Sequence, residues 1–290
     1  MEWVIQMQLT ISEFPLSHFQ GLIPLLLRCF PEFWKERLAL GRYSFPYDLT
    51  LFTGSIGDRM VACVGIHEYP VKINDQDLRL GGLCDVGVDP DFRGQGLAHQ
   101  LQDFAIEYCR KKKYCAMPLY TDKPGVYFSR GWQLYESSRE GEMSARRFPP
   151  QNTFSLTDAC IDFKRDFDKM EEAFSPQLLR AYEMTSIYFD GRKFPGKCIR
   201  SEKTWNELFA DPKHHWHLDR HAYFLYREER LLEAYSRKSY RAVTKYLPAQ
   251  GGHDDNKVMI KILNRKVAEK SGLLENIASG KLIFPAADVF

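Results

Sequence analysis

The chain has 290 residues, 44% hydrophobic and 14% aromatic, so it can bury a substantial core in one large domain or two ordinary ones. Its 40 basic and 38 acidic residues give a net charge of +2, which argues against a dedicated nucleic-acid-binding surface. The seven cysteines form no Cys-x-x-Cys pair, and no apolar run approaches the roughly 18 residues that a membrane span needs. With no secretion-signal pattern at the N-terminus, these features predict a reduced, cytoplasmic protein with no membrane or nucleic-acid partner.

The apolar pattern of the first half predicts strands and helices in alternation. Pro24 and Pro31 are expected to kink or divide the first helical segment, and Gly57-Asp58 marks a tight hairpin turn. In chain order the predicted elements are a strand at 3–11, a helical segment at 16–34, strands at 49–55, 59–69 and 78–88, a helix at 94–112, a strand at 115–121 and a short helix at 124–130.

Pro149 and Pro150 form the strongest linker candidate of the chain. We therefore expect one domain at 1–148 and a second at 149–290. The predicted elements of the second half are helices at 162–172, 176–188 and 202–210, a hairpin at 222–235, a helix at 257–271 and a terminal strand at 281–290.

The most informative stretch runs from Asp85 to His99. There a β-type run meets an Asp-Pro turn, then a glycine loop, then a long amphipathic segment. Gly94 and Gly96 carry no side chain that would block approach to the backbone N–H groups. Such a loop at a helix N-terminus is typical of a site for a phosphate-bearing ligand. A lone glycine loop is a weak signal, whereas four features in register are specific.

This stretch resembles the acyl-coenzyme A signature of the GCN5-related N-acetyltransferase (GNAT) superfamily, Arg/Gln-x-x-Gly-x-Gly/Ala, at Arg93-x-x-Gly96-x-Ala98. The resemblance implies an α/β (α+β) fold with a mixed, largely antiparallel sheet flanked by helices. It also implies acetyl-CoA as co-substrate and no metal. In the family the loop binds the coenzyme pyrophosphate and the preceding strand pairs with the pantetheine arm. The cofactor-binding residues so implied are Val86, Gly87, Val88, Arg93, Gly94, Gln95, Gly96, Leu97, Ala98, His99, Asp122 and Lys123.

A second motif, Tyr127-Phe-Ser-Arg-Gly-Trp132, resembles the family's Tyr-x-x-x-Gly-Phe element. In relatives this tyrosine lies beside the departing thiolate, where a phenol can act as general acid. The alternative is that Tyr127 only packs against the coenzyme. A backbone amide of the cofactor strand, that of Val88 or its neighbour, would polarise the thioester carbonyl.

The general base stays open between several residues. Asp85 lies on the cofactor strand, but alternation puts it on the opposite face from Val86 and Val88. His67 and Glu68 lie towards the end of a neighbouring strand, from which either could reach an amine through water. For each of the three, an ordinary structural or surface role is the alternative.

The second half is similar to the degenerate second domain of enhanced-intracellular-survival type acetyltransferases. The similarity lies in Phe194-Pro-Gly-Lys-Cys-Ile-Arg-Ser-Glu-Lys-Thr-Trp205 and in Leu231-Leu-Glu-Ala-Tyr235. It implies a degenerate GNAT-like α/β domain that completes the acceptor pocket. In that group the C-terminal carboxylate enters the active site as base, which maps onto Phe290 here. An ordinary terminal strand is the alternative.

One histidine cluster, His214, His215 and His217 with His221, has spacings that suit metal ligands. No cysteine or carboxylate completes a recognised pattern, so a polar loop or a helix cap is the favoured interpretation.

Together these observations predict an N-acetyltransferase in which a primary amine attacks directly, without a covalent enzyme intermediate. The acceptor is a small polyamine-like or aminoglycoside-like molecule or a protein amine, and a homo-oligomer is compatible with the sequence. The alternative function is a non-enzymatic acyl-CoA-binding sensor or interaction protein that uses the same loop. Tyr127 and the intact glycines favour the enzyme.

Overall fold

A computed structural model of the chain describes residues 9–74, 76–135, 154–155, 200–211, 213–218, 222–227, 230–236 and 257–279. The strands are β1 (Thr10–Glu13), β2 (Leu49–Ile56), β3 (Arg59–Ile73), β4 (Gln76–Val88), β5 (Ala116–Thr121), β6 (Gln133–Leu134), β7 (Phe154–Ser155), β8 (His214–Leu218), β9 (Ala222–Arg227), β10 (Arg230–Ser236) and β11 (Lys257–Ile262). The helices are α1 (Phe19–Cys29), α2 (Pro31–Ala39), α3 (Leu97–Lys111), α4 (Gly125–Phe128), α5 (Glu202–Ala210), α6 (Arg265–Lys270) and α7 (Leu273–Ala278).

The main sheet has seven strands in the order β1-β2-β3-β4-β5-β11-β6. Among the described strands of this sheet, only the β4–β5 pair is parallel, which confirms the mixed, largely antiparallel sheet expected from the sequence. The second half contributes a separate antiparallel sheet in the order β10-β9-β8-β7.

Helices cover both faces of the main sheet. On one face α3 buries Leu97, Leu101 and Ala105, which join the same core as Val64 and Ile66 of β3. This stripe follows the three- and four-residue spacing of an amphipathic helix. On the other face α1 and α2 pack through a second core, whose fully buried members include Leu22, Leu26, Trp34 and Cys63.

Proline positions explain the boundary between α1 and α2. Pro31 occupies the first position of α2, where its missing N–H is not needed and its fixed φ suits a helix start. The expectation that Pro31 divides the segment is therefore confirmed, whereas Pro24 lies inside α1. The hairpin turn at Gly57-Asp58, between β2 and β3, is confirmed as well.

The prediction of a helix at 257–271 is wrong in its first half, because Lys257–Ile262 forms β11 between β5 and β6. Val258, Met259 and Ile260 are all buried, at 1%, 0% and 6% exposure, because both faces of this interior strand are covered. A strand buried on both faces has a continuous apolar run, which periodicity does not distinguish from a buried helix. The main sheet therefore takes a strand from beyond the boundary drawn at 148.

Several sequence predictions lie outside the described residues. These are most of the first strand, the two helices before residue 190, and the tail 281–290 with Phe290. Within the described part of the chain, no helix is both long enough and apolar enough to cross a membrane.

Candidate functional site

The carboxyl end of β4 carries a bulge. Cys63 of β3 pairs with Gly87 and Gly65 pairs with Cys84, so β4 has one residue more than β3 over this interval. Asp85 lies in this bulge and has a left-handed φ of 49°. Bulges bend a strand and re-aim its side chains, and they are frequent beside active sites.

Beyond the bulge, β4 and β5 are not paired in the described part of the chain. Their parallel pairing there is limited to Leu83 with Leu119. The Asp89 N–H donates to the Val61 carbonyl (2.8 Å) on the β3 side. Because backbone groups alternate along an antiparallel strand, those of Val88 point towards β5. The unpaired strand ends thus present main-chain groups to a slot that suits an extended ligand arm.

Asp89 anchors the turn that follows β4. Its carboxylate, with the residue 2% exposed, accepts from Arg28 Nη2 (2.6 Å), from Arg59 Nη2 (3.1 Å) and from the Asp91 N–H (3.0 Å). The Arg28 hydrogen bond is the main reason that the pKa of Asp89 falls to about 2. This carboxylate is ionised at neutral pH and fixes the entry to the glycine loop.

The glycine loop runs from this turn into α3. Gly94 and Gly96 have φ of 77° and 76°, a left-handed conformation that glycine adopts without steric cost. Arg93 Nε donates to the Val88 carbonyl (3.1 Å) and so ties the loop to β4. Within the part of the chain that the structure describes, the N–H groups of 94–98 have no recorded hydrogen-bond acceptor.

These loop N–H groups form a cluster of donors at the positive end of α3, which suits a diphosphate group. A Cβ built on Gly94 would meet nothing within 4 Å, so the space above the loop is open. The residues implied for coenzyme binding from Val86 to His99 thus lie together at one end of the sheet. The loop chemistry fits the coenzyme that the sequence implies.

Tyr127 lies on α4, shortly after the end of β5. Its ring packs edge-on against Trp132, with ring centroids 6.0 Å apart. Burial raises the pKa of Tyr127 to about 12, so the phenol keeps its proton at neutral pH. The buried Gln102 of α3 donates from Nε2 to the Val126 carbonyl (3.3 Å) and holds α4 against α3.

Asp122 and Lys123 follow β5 in the loop that leads to α4. Both side chains are exposed, and they form a long ion pair of 3.9 Å. The Lys123 N–H donates to Thr121 Oγ1 (2.9 Å), which fixes the loop backbone. Both residues are therefore close to Tyr127 in the chain, and neither side chain is buried.

Asp85 has the environment of a functional carboxylate. The Tyr47 hydroxyl donates to its Oδ2 at 2.8 Å. Burial raises the pKa of Asp85 to about 6, against the lowering effect of the Tyr47 hydrogen bond. Gly65 makes the site possible, since a Cβ there would lie 2.7 Å from Cys84 Sγ and 3.5 Å from Asp85 Oδ2.

The other base candidates are engaged elsewhere. Glu68 is half exposed and accepts from Arg79 Nε at 2.6 Å. Nδ1 of His67 lies 2.6 Å from the carbonyl oxygen of Asp48. Because a carbonyl oxygen only accepts, the ring donates this hydrogen bond from Nδ1. Phe290 lies outside the described residues.

His214 is buried, and its Nδ1 donates to the Leu208 carbonyl at 2.8 Å. Burial lowers the pKa of His214, which favours the neutral ring. Among the described residues no group of three potential ligands is arranged to hold a metal ion. The side chains of His215, His217 and His221 lie outside the description.

Comparisons with known proteins agree with this fold. A family model described as Acetyltransferase (GNAT) domain matches residues 20–135. No curated protein matches the chain. Among solved structures, Eis1 from Mycobacterium abscessus has a TM-score of 0.58 at 12% identity, covering 91% of this chain and 76% of its own.

Two further structures are similar over most of the chain. A GCN5-related N-acetyltransferase from Kribbella flavida has a TM-score of 0.55 at 13% identity, covering 92% of this chain and 74% of its own. A probable N-acyltransferase from Enterococcus faecalis has a TM-score of 0.54 at 12% identity, covering 90% of this chain and 74% of its own. At these identities the likeness concerns the fold.

Proposed function

We propose that this chain, whose residues 20–135 match a family model described as Acetyltransferase (GNAT) domain, transfers the acetyl group of acetyl-CoA to a primary amine by direct attack. One observation carries the proposal. The donor-rich loop, the unpaired ends of β4 and β5, and a half-buried, protonated Tyr127 lie at the same end of one sheet.

Acetyl-CoA supplies an activated thioester, and the chain's own groups hold it. The N–H groups of 94–98 receive the diphosphate, with the positive end of α3 behind them. The slot between β4 and β5 takes the pantetheine arm by strand-like pairing. The Val88 N–H, which points into this slot, is the donor for the thioester oxygen as negative charge develops there.

Two side chains handle the protons. The amine nitrogen forms the new bond to the acetyl carbon and loses a proton to Asp85, directly or through one water. The carbon–sulfur bond breaks, and the leaving sulfur takes the phenol proton of Tyr127. The proton that Asp85 gains is returned to solvent, and Tyr127 is reprotonated in the same way, so the cycle closes.

A covalent intermediate on any of the five cysteines in the described part of the chain is disfavoured. Burial raises the pKa of Cys29 and of Cys115 to about 11, that of Cys109 to about 12, and those of Cys63 and Cys84 well above the ordinary value. The thiolate is the nucleophilic form of cysteine, and at neutral pH it is scarce in all five side chains.

Replacing Tyr127 by Phe is expected to spare coenzyme binding and to lower kcat by about 100-fold, the usual scale of a general-acid contribution. The ring, and with it the packing on Trp132, is kept while the proton is lost. Isothermal titration with coenzyme A and steady-state kinetics separate the two effects. Equal losses of binding and turnover would assign Tyr127 to coenzyme packing instead.

The rate should rise with pH through about 6, because Asp85 accepts a proton only when ionised and burial has raised its pKa to about 6. Asp85→Asn is expected to remove this acid limb and to lower kcat by about 100-fold or more. A buffer series of kcat/KM from pH 4.5 to 9 measures both. An unchanged acid limb in the variant would exclude Asp85 as the base.

The experiment that tests the function itself is release of coenzyme A thiol from acetyl-CoA against a panel of amines. The panel holds polyamines, aminoglycosides and peptides with free N-termini or lysines. Amine-dependent release above the hydrolysis blank is expected for at least one class. Tight coenzyme binding without any such release would favour the acyl-CoA sensor.

A further inference from the structure

Helix α5 of the second half docks on the segment that follows α2. Lys203 Nζ donates to the Tyr47 carbonyl at 3.1 Å and lies 3.9 Å from Asp48 Oδ1. At the other end of α5, Arg42 donates to the Ala210 carbonyl. The segment 41–48 is thus held by the second half near both of its ends.

A buried arginine reinforces this contact. Arg37 of α2 is 6% exposed, and its Nη2 donates to the Ser44 carbonyl (2.7 Å) and to Glu207 Oε2 of α5 (3.1 Å). Its guanidinium also lies over the ring of Trp34, 5.8 Å from the centroid. An arginine with two fixed acceptors and a ring contact has little freedom, so the position of Ser44 is well defined.

The segment 41–48 matters because it carries Tyr47. Tyr47 is 6% exposed, its ring packs against His67 with centroids 5.2 Å apart, and its hydroxyl reaches Asp85 Oδ2 at 2.8 Å. A hydrogen bond to a charged group loses strength steeply with distance and angle. The backbone position of Tyr47 therefore determines the strength of the hydrogen bond from its hydroxyl to the Asp85 carboxylate.

We propose that Lys203 is a positioning residue for the transfer reaction: by holding the Tyr47 carbonyl from the second half, it keeps the Tyr47 hydroxyl on Asp85. This inference rests on the proposed function, in which Asp85 accepts the amine proton. It assigns the second half a part in catalysis that does not require contact with either substrate.

Other groups around Asp85 also contribute to its environment, in addition to Tyr47, which Lys203 holds. Cys84 of β4 lowers the pKa of Asp85, and so does the charge of Arg37 on α2. From β3, Cys63 Sγ lies 3.4 Å from the Asp85 carbonyl. Loosening Tyr47 removes one of the stabilising contacts to the ionised carboxylate, so the pKa of Asp85 should rise further.

The test replaces Lys203 by Met and follows Asp85 directly, by carbon-13 NMR titration of its carboxyl group in the full chain, assigned with Asp85→Asn. We expect the titration midpoint to move up by about half a unit, against about one unit for Tyr47→Phe. In a protein that already carries Tyr47→Phe, Lys203→Met should shift the Asp85 titration midpoint almost no further. The acid limb of kcat/KM should move with the NMR midpoint.

Lys213→Met is the matched control. Lys213 Nζ pairs with Glu36 of α2 at 3.0 Å, so this variant also removes one lysine and one ion pair between the two halves. It does not touch 41–48 and should leave the Asp85 midpoint unchanged. If Lys203→Met behaves like Lys213→Met, or if its effect adds fully to that of Tyr47→Phe, the inference is overturned. The NMR readout needs no turnover, so these outcomes are separate from a failure of the proposed function.

Discussion

Replacing Gly96 by Asp should abolish coenzyme binding, with a loss of affinity of at least about 100-fold, equivalent to about 3 kcal/mol. Two costs add. A residue with a Cβ at a φ of 76° is strained by about 1 kcal/mol, and a carboxylate beside the diphosphate costs several kcal/mol more. Isothermal titration with coenzyme A measures the change, and turnover should fall with it.

Gly57→Asp is the matched control for this variant. Gly57 also has a left-handed φ, of 57°, with no atom within 4 Å of a Cβ, and it lies in the hairpin turn between β2 and β3. The control carries similar backbone strain and the same added charge outside the loop. If both variants weakened binding equally, strain or net charge would explain the loss, and the loop would not be the diphosphate site.

The second large effect concerns the strand β11. A fragment of residues 1–148 is expected not to fold, because it lacks Val258, Met259 and Ile260 between β5 and β6 and Leu273 behind them. Each buried apolar side chain contributes about 1.5–3 kcal/mol, so their sum is comparable with the whole stability of a domain, about 5–15 kcal/mol. Thermal unfolding followed by circular dichroism should show no cooperative transition.

A shortened chain provides the comparison. The Tyr135 N–H donates to the Val258 carbonyl (2.9 Å), so the end of β6 and the start of β11 are neighbours. Replacing residues 136–256 by a turn of about four residues should restore a cooperative transition and coenzyme binding. Its turnover should remain low, because it lacks the second half, which the sequence predicts to complete the acceptor pocket. Cooperative unfolding of fragment 1–148 with similar stability would show that β11 is dispensable.

The glycine loop was predictable because the sequence features that specify it are close together in the chain. The Asp-Pro turn, the left-handed glycines and the start of α3 all lie within one stretch, and each element needs only its own neighbours to form. Pro31 and Gly57-Asp58 were predictable for the same reason. Local backbone chemistry decides these positions, and tertiary contacts do not override it.

The surroundings of Asp85, the proposed base, were harder to predict. Tyr47 and Asp85 are far apart in the chain, and simple alternation does not show the bulge that gives Asp85 its environment. Gly65 leaves room for that carboxylate, but only the paired strand shows why. Arg28 and Arg59, which fix Asp89, likewise carry no local signature.

The strand β11 illustrates a different limit. Its run of Val258, Met259 and Ile260 is apolar on both faces, and such a run is compatible with a helix or an interior strand. The distinction depends on β5 and β6, the neighbours between which it lies. A pattern confined to these residues does not contain that information.

The place of β11 in the sheet also fixes an order of events during synthesis. Ribosomes release β5 and β6 long before Lys257–Ile262, so the gap between the two strands stays open while the second half is made. Open strand edges are templates for intermolecular pairing, and a nascent chain in this state is exposed to aggregation. A translation product that stops before Lys257 would leave the sheet behind the glycine loop unfinished, so the seven-stranded sheet forms only in chains that extend through β11.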